Sequence, residues 1–304
     1  MNQKILVIGS SNTDMVVQVP RIPAPGETVL GSHFFIVSGG KGANQAVAAA
    51  RTGAEVTFVA CVADDAFGKQ AIEGFRKDGI HTDYIKVQEG SHTGVALINV
   101  SEEGENSISV ASGANSHLLP EDLRGISDAF KEAKIALAQL EIPLETIEFA
   151  AQMAEARGIP FILNPAPATA LPDGLLEKVS ILTPNETEAA LLTGRTEVKD
   201  DQVEAIAHEL LDKGIKTVII TLGSKGVYLC DSKTSERIPG YAVKAVDTTA
   251  AGDVFNGALA AVLATNHSMR EAIDFAQRAA AISVTRRGAQ PSAPFLHEVI
   301  NFLV

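Results

Sequence analysis

Short continuous apolar runs alternate along this chain with longer stretches in which apolar residues recur at helical spacing. The runs Ile5–Ile8, Val56–Cys61, Ile135–Gln139, Phe161–Asn164, Ile181–Thr183, Thr217–Thr221 and Val227–Leu229 read as strands. Between them Ala43–Thr52, Lys69–Asp78, Leu144–Arg157, Glu186–Thr193, Val203–Lys213, Val254–Thr265 and Met269–Thr285 read as helices, many closed by Gly or a basic residue. The alternation predicts an α/β fold: a doubly wound, mostly parallel central sheet flanked by helices. Such sheets bind ligands beyond the carboxyl ends of their strands.

Two segments break the alternation. In Asp14–Val37, Met15, Val17 and Val19 alternate with Val16 and Gln18, Pro23–Gly26 makes a turn, and His33–Val37 is apolar again. Thr93–Ala111 reads as a second ribbon, Gly94–Val100 and Ser107–Val110 about a Glu102–Asn106 turn. Together they predict a small antiparallel β lid. A sheet this small cannot bury both faces alone, so it is expected to cover a site, pair with another subunit, or both. The expected division is a core of 1–13, 38–92 and 112–304 and a lid of 14–37 and 93–111.

Composition narrows the function. Of 304 residues 46% are hydrophobic and 20% charged, an ordinary folded chain. No apolar run approaches the ~18 residues of a membrane span, and the chain opens on a strand with no signal peptide before it, so a cytoplasmic location is expected. Cys61 and Cys230 lie far apart without metal-ligand spacing and are expected to be reduced, buried thiols. A net charge of −12 argues against nucleic acid as partner, so any phosphate site must be local.

The chemistry concentrates in Ala245–Ala261. Small residues from Thr248 to Gly252 suit a tight turn, and a buried helix follows. The first N–H groups of such a helix lack internal partners, so Ala250, Ala251, Gly252 and Asp253 are a candidate cradle for a phosphoryl oxygen. Asp253 is either a helix cap or a base beside that cradle. Gly39-Gly-Lys-Gly-Ala-Asn44 opens a helix but fails the P-loop pattern, since Gly42 follows Lys41. It is either a flexible connection or a close-approach joint in which Lys41 and Asn44 offer donors. Asn12 and Asp14 follow the first strand, and Glu141 follows the strand ending at Gln139. Asn185 and Glu188 either cap a helix or orient a hydrated Mg²⁺. Thr221–Gly226 is a hairpin turn or a surface for a nucleotide. Thr285–Ser292 is a loop whose carbonyls suit a cation.

These motifs together resemble the phosphofructokinase-B, or ribokinase, family of carbohydrate kinases. Gly39–Asn44 and Asp247–Gly257 carry the resemblance, with Asn164-Pro-Ala-Pro-Ala168 and Thr183–Glu188 between them, and it runs essentially end to end. It implies ATP-dependent phosphorylation of ribose at the 5-hydroxyl, with Asp253 as base and Ala250, Ala251 and Gly252 as anion hole. Asn12, Asp14, Gly40, Lys41, Asn44 and Glu141 would hold ribose. Asn185, Thr221, Gly223, Lys225, Gly226, Gly252 and Gln277 would line the ATP site, with Glu188 organising Mg²⁺ through water. Asp247, Thr249, Ser283, Arg286, Gly288 and Ser292 match loops that bind an activating monovalent cation, K⁺, mostly through carbonyls. The lid would also pair two copies into a homodimer. Ala250 stands where many relatives carry Gly, a change that leaves the backbone N–H in place.

Overall fold

The computed structural model describes residues 4–302. Its strands are β1 (Lys4–Ile8), β2 (Asn12–Val19), β3 (His33–Gly39), β4 (Glu55–Ala63), β5 (Ile85–Gln88), β6 (Gly94–Ser101), β7 (Asn106–Ala111), β8 (Ile135–Ala138), β9 (Phe161–Leu163), β10 (Ile181–Leu182), β11 (Thr217–Thr221), β12 (Val227–Asp231) and β13 (Ser235–Ile238). Nine of them form the central sheet in the order β13-β12-β11-β10-β9-β8-β1-β4-β5. Pairing is parallel from β11 to β5, and the β11–β12–β13 edge is antiparallel.

Both sheet faces are covered, as continuous apolar strands require. Alternate residues of β1 divide between the two cores: Leu6 and Ile8 join one cluster with Leu118, Phe130, Ile147 and Ile206, while Ile5 and Val7 join the other with Val47, Phe75, Leu259 and Ile273. The helices Lys41–Arg51 and Ala251–Leu263 belong to the second cluster and cross closely, because Gly257 sits at the crossing. A Cβ there would lie 2.8 Å from the Ala48 methyl and 2.9 Å from the Ala49 nitrogen. No described helix is long and apolar enough to cross a membrane. Cys61 and Cys230 are both free and buried.

Four strands form the second sheet, in the order β3-β2-β6-β7. Each ribbon is antiparallel, and β2 with β6 joins the two in parallel, a pairing the sequence pattern did not reveal. Register puts Asp14, Val16 and Ala96 on one face, where all three are buried. Met15, Val17, Phe34, Ile36 and Leu97 share the opposite face, on which Phe34, Ile36 and Leu97 are exposed.

Candidate active site

The chain leaves β1 and enters β2 within three residues, so Ser10, Ser11, Asn12 and Asp14 are buried where the two sheets meet. The helix Lys41–Arg51 starts against this turn because glycine permits it. Gly40 has φ 89°, and a Cβ there would lie 2.6 Å from the Asn12 nitrogen. The Gly-rich segment is therefore a close-approach joint and not a flexible connection. That helix has no side-chain cap at Gly40 and no acidic residue in its first turn. Glu141, just beyond β8, supplies both: its carboxylate accepts from the Lys41 N–H at 2.9 Å and from the Ser10 hydroxyl at 2.5 Å. Asn12 is fixed by Asn115, whose amide donates to its Oδ1 at 2.7 Å.

Asp253 lies in the first turn of the helix Ala251–Leu263, is buried, and faces the helix Lys41–Arg51. Asn44 Nδ2 donates to its Oδ2 at 3.0 Å and Gln45 Nε2 to its Oδ1 at 2.9 Å. Burial pushes this carboxyl above its ordinary range, while Lys41 and the two amides pull against the shift. Asp14 is pushed up to about 7, first by burial and then by Glu141 and Asp253, with Lys41 opposing. Burial works to lower the Lys41 ammonium, but Asp253, Glu141, Glu188 and Asp14 outweigh it and the net shift is upward. One lysine thus shares its field with four carboxylates drawn from four separate parts of the chain.

The turn before Asp253 exposes backbone donors. Ala250 adopts the left-handed region at φ 59°, its carbonyl accepts the first helical bond from Val254 at 2.9 Å, and the Ala251 N–H donates to the Thr248 carbonyl at 3.3 Å. The N–H groups of Gly252 and Asp253 have no acceptor among the described residues. A Cβ on Gly252 would meet nothing within 4 Å, so the space before these donors is open. The arrangement can remove a proton with Asp253 and hold negative charge on the adjacent N–H groups. Of the expected cradle, Ala251 is the member already engaged.

On the far side of the parallel strands, Asn185 caps the helix Glu186–Leu192: its Oδ1 accepts from the Glu188 N–H at 2.8 Å. The Glu188 carboxylate in turn accepts from Asn185 N at 2.8 Å and Nδ2 at 3.0 Å. Burial raises the Glu188 carboxyl against those bonds, and it still feels Lys41 and Asp253. Capping and proximity to the site coexist here. The Thr221 N–H donates to the Pro184 carbonyl at 2.8 Å, binding the end of β11 to this segment. Gly223 and Gly226 form the tight β11–β12 turn, with φ of 57° and 96°. Lys225 is drawn away to Asp200, at 3.0 Å on the exposed rim. Gln277 is buried on the helix Met269–Ser283, with Oε1 unpartnered among the described residues.

The candidate cation loops converge on Asp247. Its Oδ1 accepts from the Thr249 N–H and its Oδ2 from the Gly288 N–H, both at 2.9 Å. Burial pushes Asp247 upward, yet these N–H groups prevail and hold it below its ordinary range. The Ser283 and Ser292 hydroxyls donate to the Ala280 and Ala289 carbonyls, and Arg286 pairs with Glu298. What these residues leave for a cation is mainly carbonyl oxygen. No described group of three or more His, Cys, Asp or Glu side chains is placed to hold a metal.

With this geometry in place, residues 2–296 match the pattern of the pfkB family carbohydrate kinases. The chain belongs to the pfkB family. It is 48% identical to a ribokinase of Haemophilus influenzae, covering 100% of this chain and 99% of that one. It is 37% identical to a deoxyribokinase of Salmonella typhi, with 98% of each covered. Among solved structures, the ribokinase of Arabidopsis thaliana complexed with ribose and ATP superposes with a TM-score of 0.90 at 35% identity, over 99% of this chain and 98% of that one.

Several residues of this pfkB-family site escaped sequence reasoning. Gln45 bonds Asp253, Asn164 bonds Gln45, and Asn115 bonds Asn12. Gln45 carried a signal, as a polar residue on an otherwise apolar, alanine-rich helix face. Asn164 stood in a quoted motif without a role. Asn115 carried none, because its partner is 103 positions away.

Proposed function

We propose that this chain transfers the γ-phosphoryl group of ATP to the 5-hydroxyl of D-ribose, giving D-ribose 5-phosphate. The observation that carries this reading is the buried Asp253, held by Asn44 and Gln45 beside open N–H groups at Gly252 and Asp253. Asn12, Asp14, Gly40, Lys41, Asn44 and Glu141 hold the sugar with its reacting hydroxyl against Asp253. Asp253 takes the proton as the backbone donors from Ala250 to Gly252 receive the charge on the phosphoryl group, Ala251 by leaving the Thr248 carbonyl. Direct in-line transfer needs positioning and charge stabilisation, with no covalent intermediate.

Asn185, Thr221, Gly223, Lys225, Gly226, Gly252 and Gln277 line the nucleotide side in this reading. Lys225 reaches it by leaving Asp200. A single buried carboxylate, Glu188, fits a hydrated Mg²⁺ held chiefly by water and phosphate rather than by a protein cage. When bound, the metal supplies neutralisation of phosphate charge. Asp247, held low by the Thr249 and Gly288 N–H groups, fits a monovalent cation such as K⁺, which in this reading Thr249, Ser283, Arg286, Gly288 and Ser292 would also ligate, mostly through carbonyls. The lid of 14–37 and 93–111 covers the sugar with its Asp14 face and pairs with a second copy through Phe34, Ile36 and Leu97. The working compartment in this reading is the cytoplasm, consistent with two free cysteines.

Similarity to a deoxyribokinase favours one second reading, the same transfer to deoxyribose. A sugar and nucleoside panel with coupled ADP detection decides between them. Ribose is expected to give the highest kcat/KM. Preference for deoxyribose, fructose or a nucleoside would replace the substrate, and ribose binding without ADP release would make the chain a sugar-binding regulator.

A further inference from the structure

A buried amide chain runs behind Asp253. Gln45 Nε2 donates to Asp253 Oδ1 at 2.9 Å and to Asn164 Oδ1 at 3.0 Å, and Gln45 Oε1 accepts from Gln139 Nε2 at 2.5 Å. Asn164 Nδ2 donates to the Thr183 carbonyl at 3.0 Å. The Thr183 hydroxyl donates to Asn256 Oδ1 at 2.6 Å, and Asn256 Nδ2 returns to the Gly252 carbonyl at 2.8 Å. All of these side chains are buried.

The two carbonyls set the direction of the whole chain, because a carbonyl only accepts. The Thr183 carbonyl requires the NH₂ of Asn164, which turns Asn164 Oδ1 toward Gln45. That oxygen requires the NH₂ of Gln45, so Gln45 presents donors to Asp253 and its own oxygen to Gln139. At the other end, the Gly252 carbonyl orients Asn256 and, through it, the Thr183 hydroxyl. Base and anion-hole turn are thereby tied into one loop of hydrogen bonds, starting on Asp253 and closing on Gly252.

We infer that Gln45, oriented through Asn164 and the Thr183 carbonyl, is a positioning residue that holds the Asp253 carboxylate in place as a proton acceptor. The inference rests on the proposed phosphoryl transfer and adds to it. Gln45 does not touch the sugar in this role; Asn44, the preceding residue of the same helix turn, occupies the other Asp253 oxygen, and its own buried Oδ1 remains unpartnered among the described residues. Gln45→Met keeps the length of the side chain and removes both donors and the acceptor. Its expected kcat falls by about 10- to 100-fold, the range for a lost hydrogen bond to a charged group. Its KM for ribose should change by less than about threefold, since the sugar-facing residues remain. The acid limb of its kcat–pH profile should move to higher pH. Gln45→Glu is isosteric and sets a second carboxylate against Asp253, so it should move the limb further the same way. The position of the limb does not depend on how much of a variant is folded, so it separates a positioning role from lost stability. An active parent whose two variants keep its acid limb, or lose ribose affinity as much as kcat, overturns this inference alone. A parent inactive on every sugar overturns the proposed function as well.

Discussion

Asp247 and Asp253 stand six positions apart on either side of one turn, and the fold gives them opposite characters. Asp247 sits half-buried between two loops, where backbone N–H groups hold it low. Asp253 is buried against a helix, where loss of water raises it and side-chain amides only partly compensate. The same side chain is thereby fitted for a fixed charge at one end and for proton transfer at the other. Their difference comes from what covers them, and the small residues between them let both environments share a single turn.

Removing the proposed base should have the largest effect. Asp253→Asn is expected to lower turnover by about 10²- to 10⁴-fold, with calorimetric ribose binding nearly intact. Loss of binding in proportion to turnover would make Asp253 a sugar ligand instead.

Next comes the pH dependence of stability, which tests the raised carboxyls on the sugar side. Asp14 titrates at about 7 when folded, against an ordinary value of 3.8. The folded chain therefore binds more protons than the unfolded chain between these values, and stability should fall as pH rises across that window and level off above it. Asp14→Asn should flatten this slope by roughly 2–4 kcal/mol, measured by denaturant unfolding from pH 4 to pH 8. An unchanged slope would show that Asp14 is not strained by its surroundings.

Asp247→Asn removes charge at the opposite end and keeps one acceptor. Its expected cost is about tenfold in turnover, together with loss of any advantage of potassium over sodium buffer. If the parent runs equally well in both buffers, Asp247 is a loop clamp without a cation.

The smallest effect belongs to the turn between them. Ala250 holds φ 59°, which costs a residue with a Cβ roughly 1–2 kcal/mol. Ala250→Gly removes that strain but loosens the unfolded chain by about 0.4–1 kcal/mol. A net gain of up to about 1 kcal/mol is expected, read as a small rise in Tm. A fall in Tm would mean that the Ala250 methyl packs usefully.

How far the sequence led follows the same division between local and distant causes. The apolar runs gave the seven main strands and seven helices within a few residues, because burial on both faces leaves a dense local pattern. β5 and β13 lack that density; both are edge strands with largely half-exposed or exposed residues, and neither was anticipated. The short helices Pro120–Arg124 and Ser127–Glu132 were too brief to show periodicity. In the site, spacing marked Asp253 and the Gly-rich segment as candidates but left each between two readings, cap or base and connection or joint. The bonded partners of Asp253 were not legible at all, since Gln45 and Asp253 lie 208 positions apart and only the crossing at Gly257 brings them together. Lys225 came to the nucleotide side only through the family resemblance, and its pairing with Asp200 is likewise not readable from local sequence.

The claim that burial and amide contacts make Asp253 the base is tested most directly by the single-turnover rate of phosphoryl transfer from ATP to ribose, measured against pH. The parent should lose activity on the acid side with a midpoint above the ordinary aspartate range, and Asp253→Asn should retain only a low rate without that limb. The same limb in both proteins, or a parent midpoint at the ordinary aspartate value, would contradict the account.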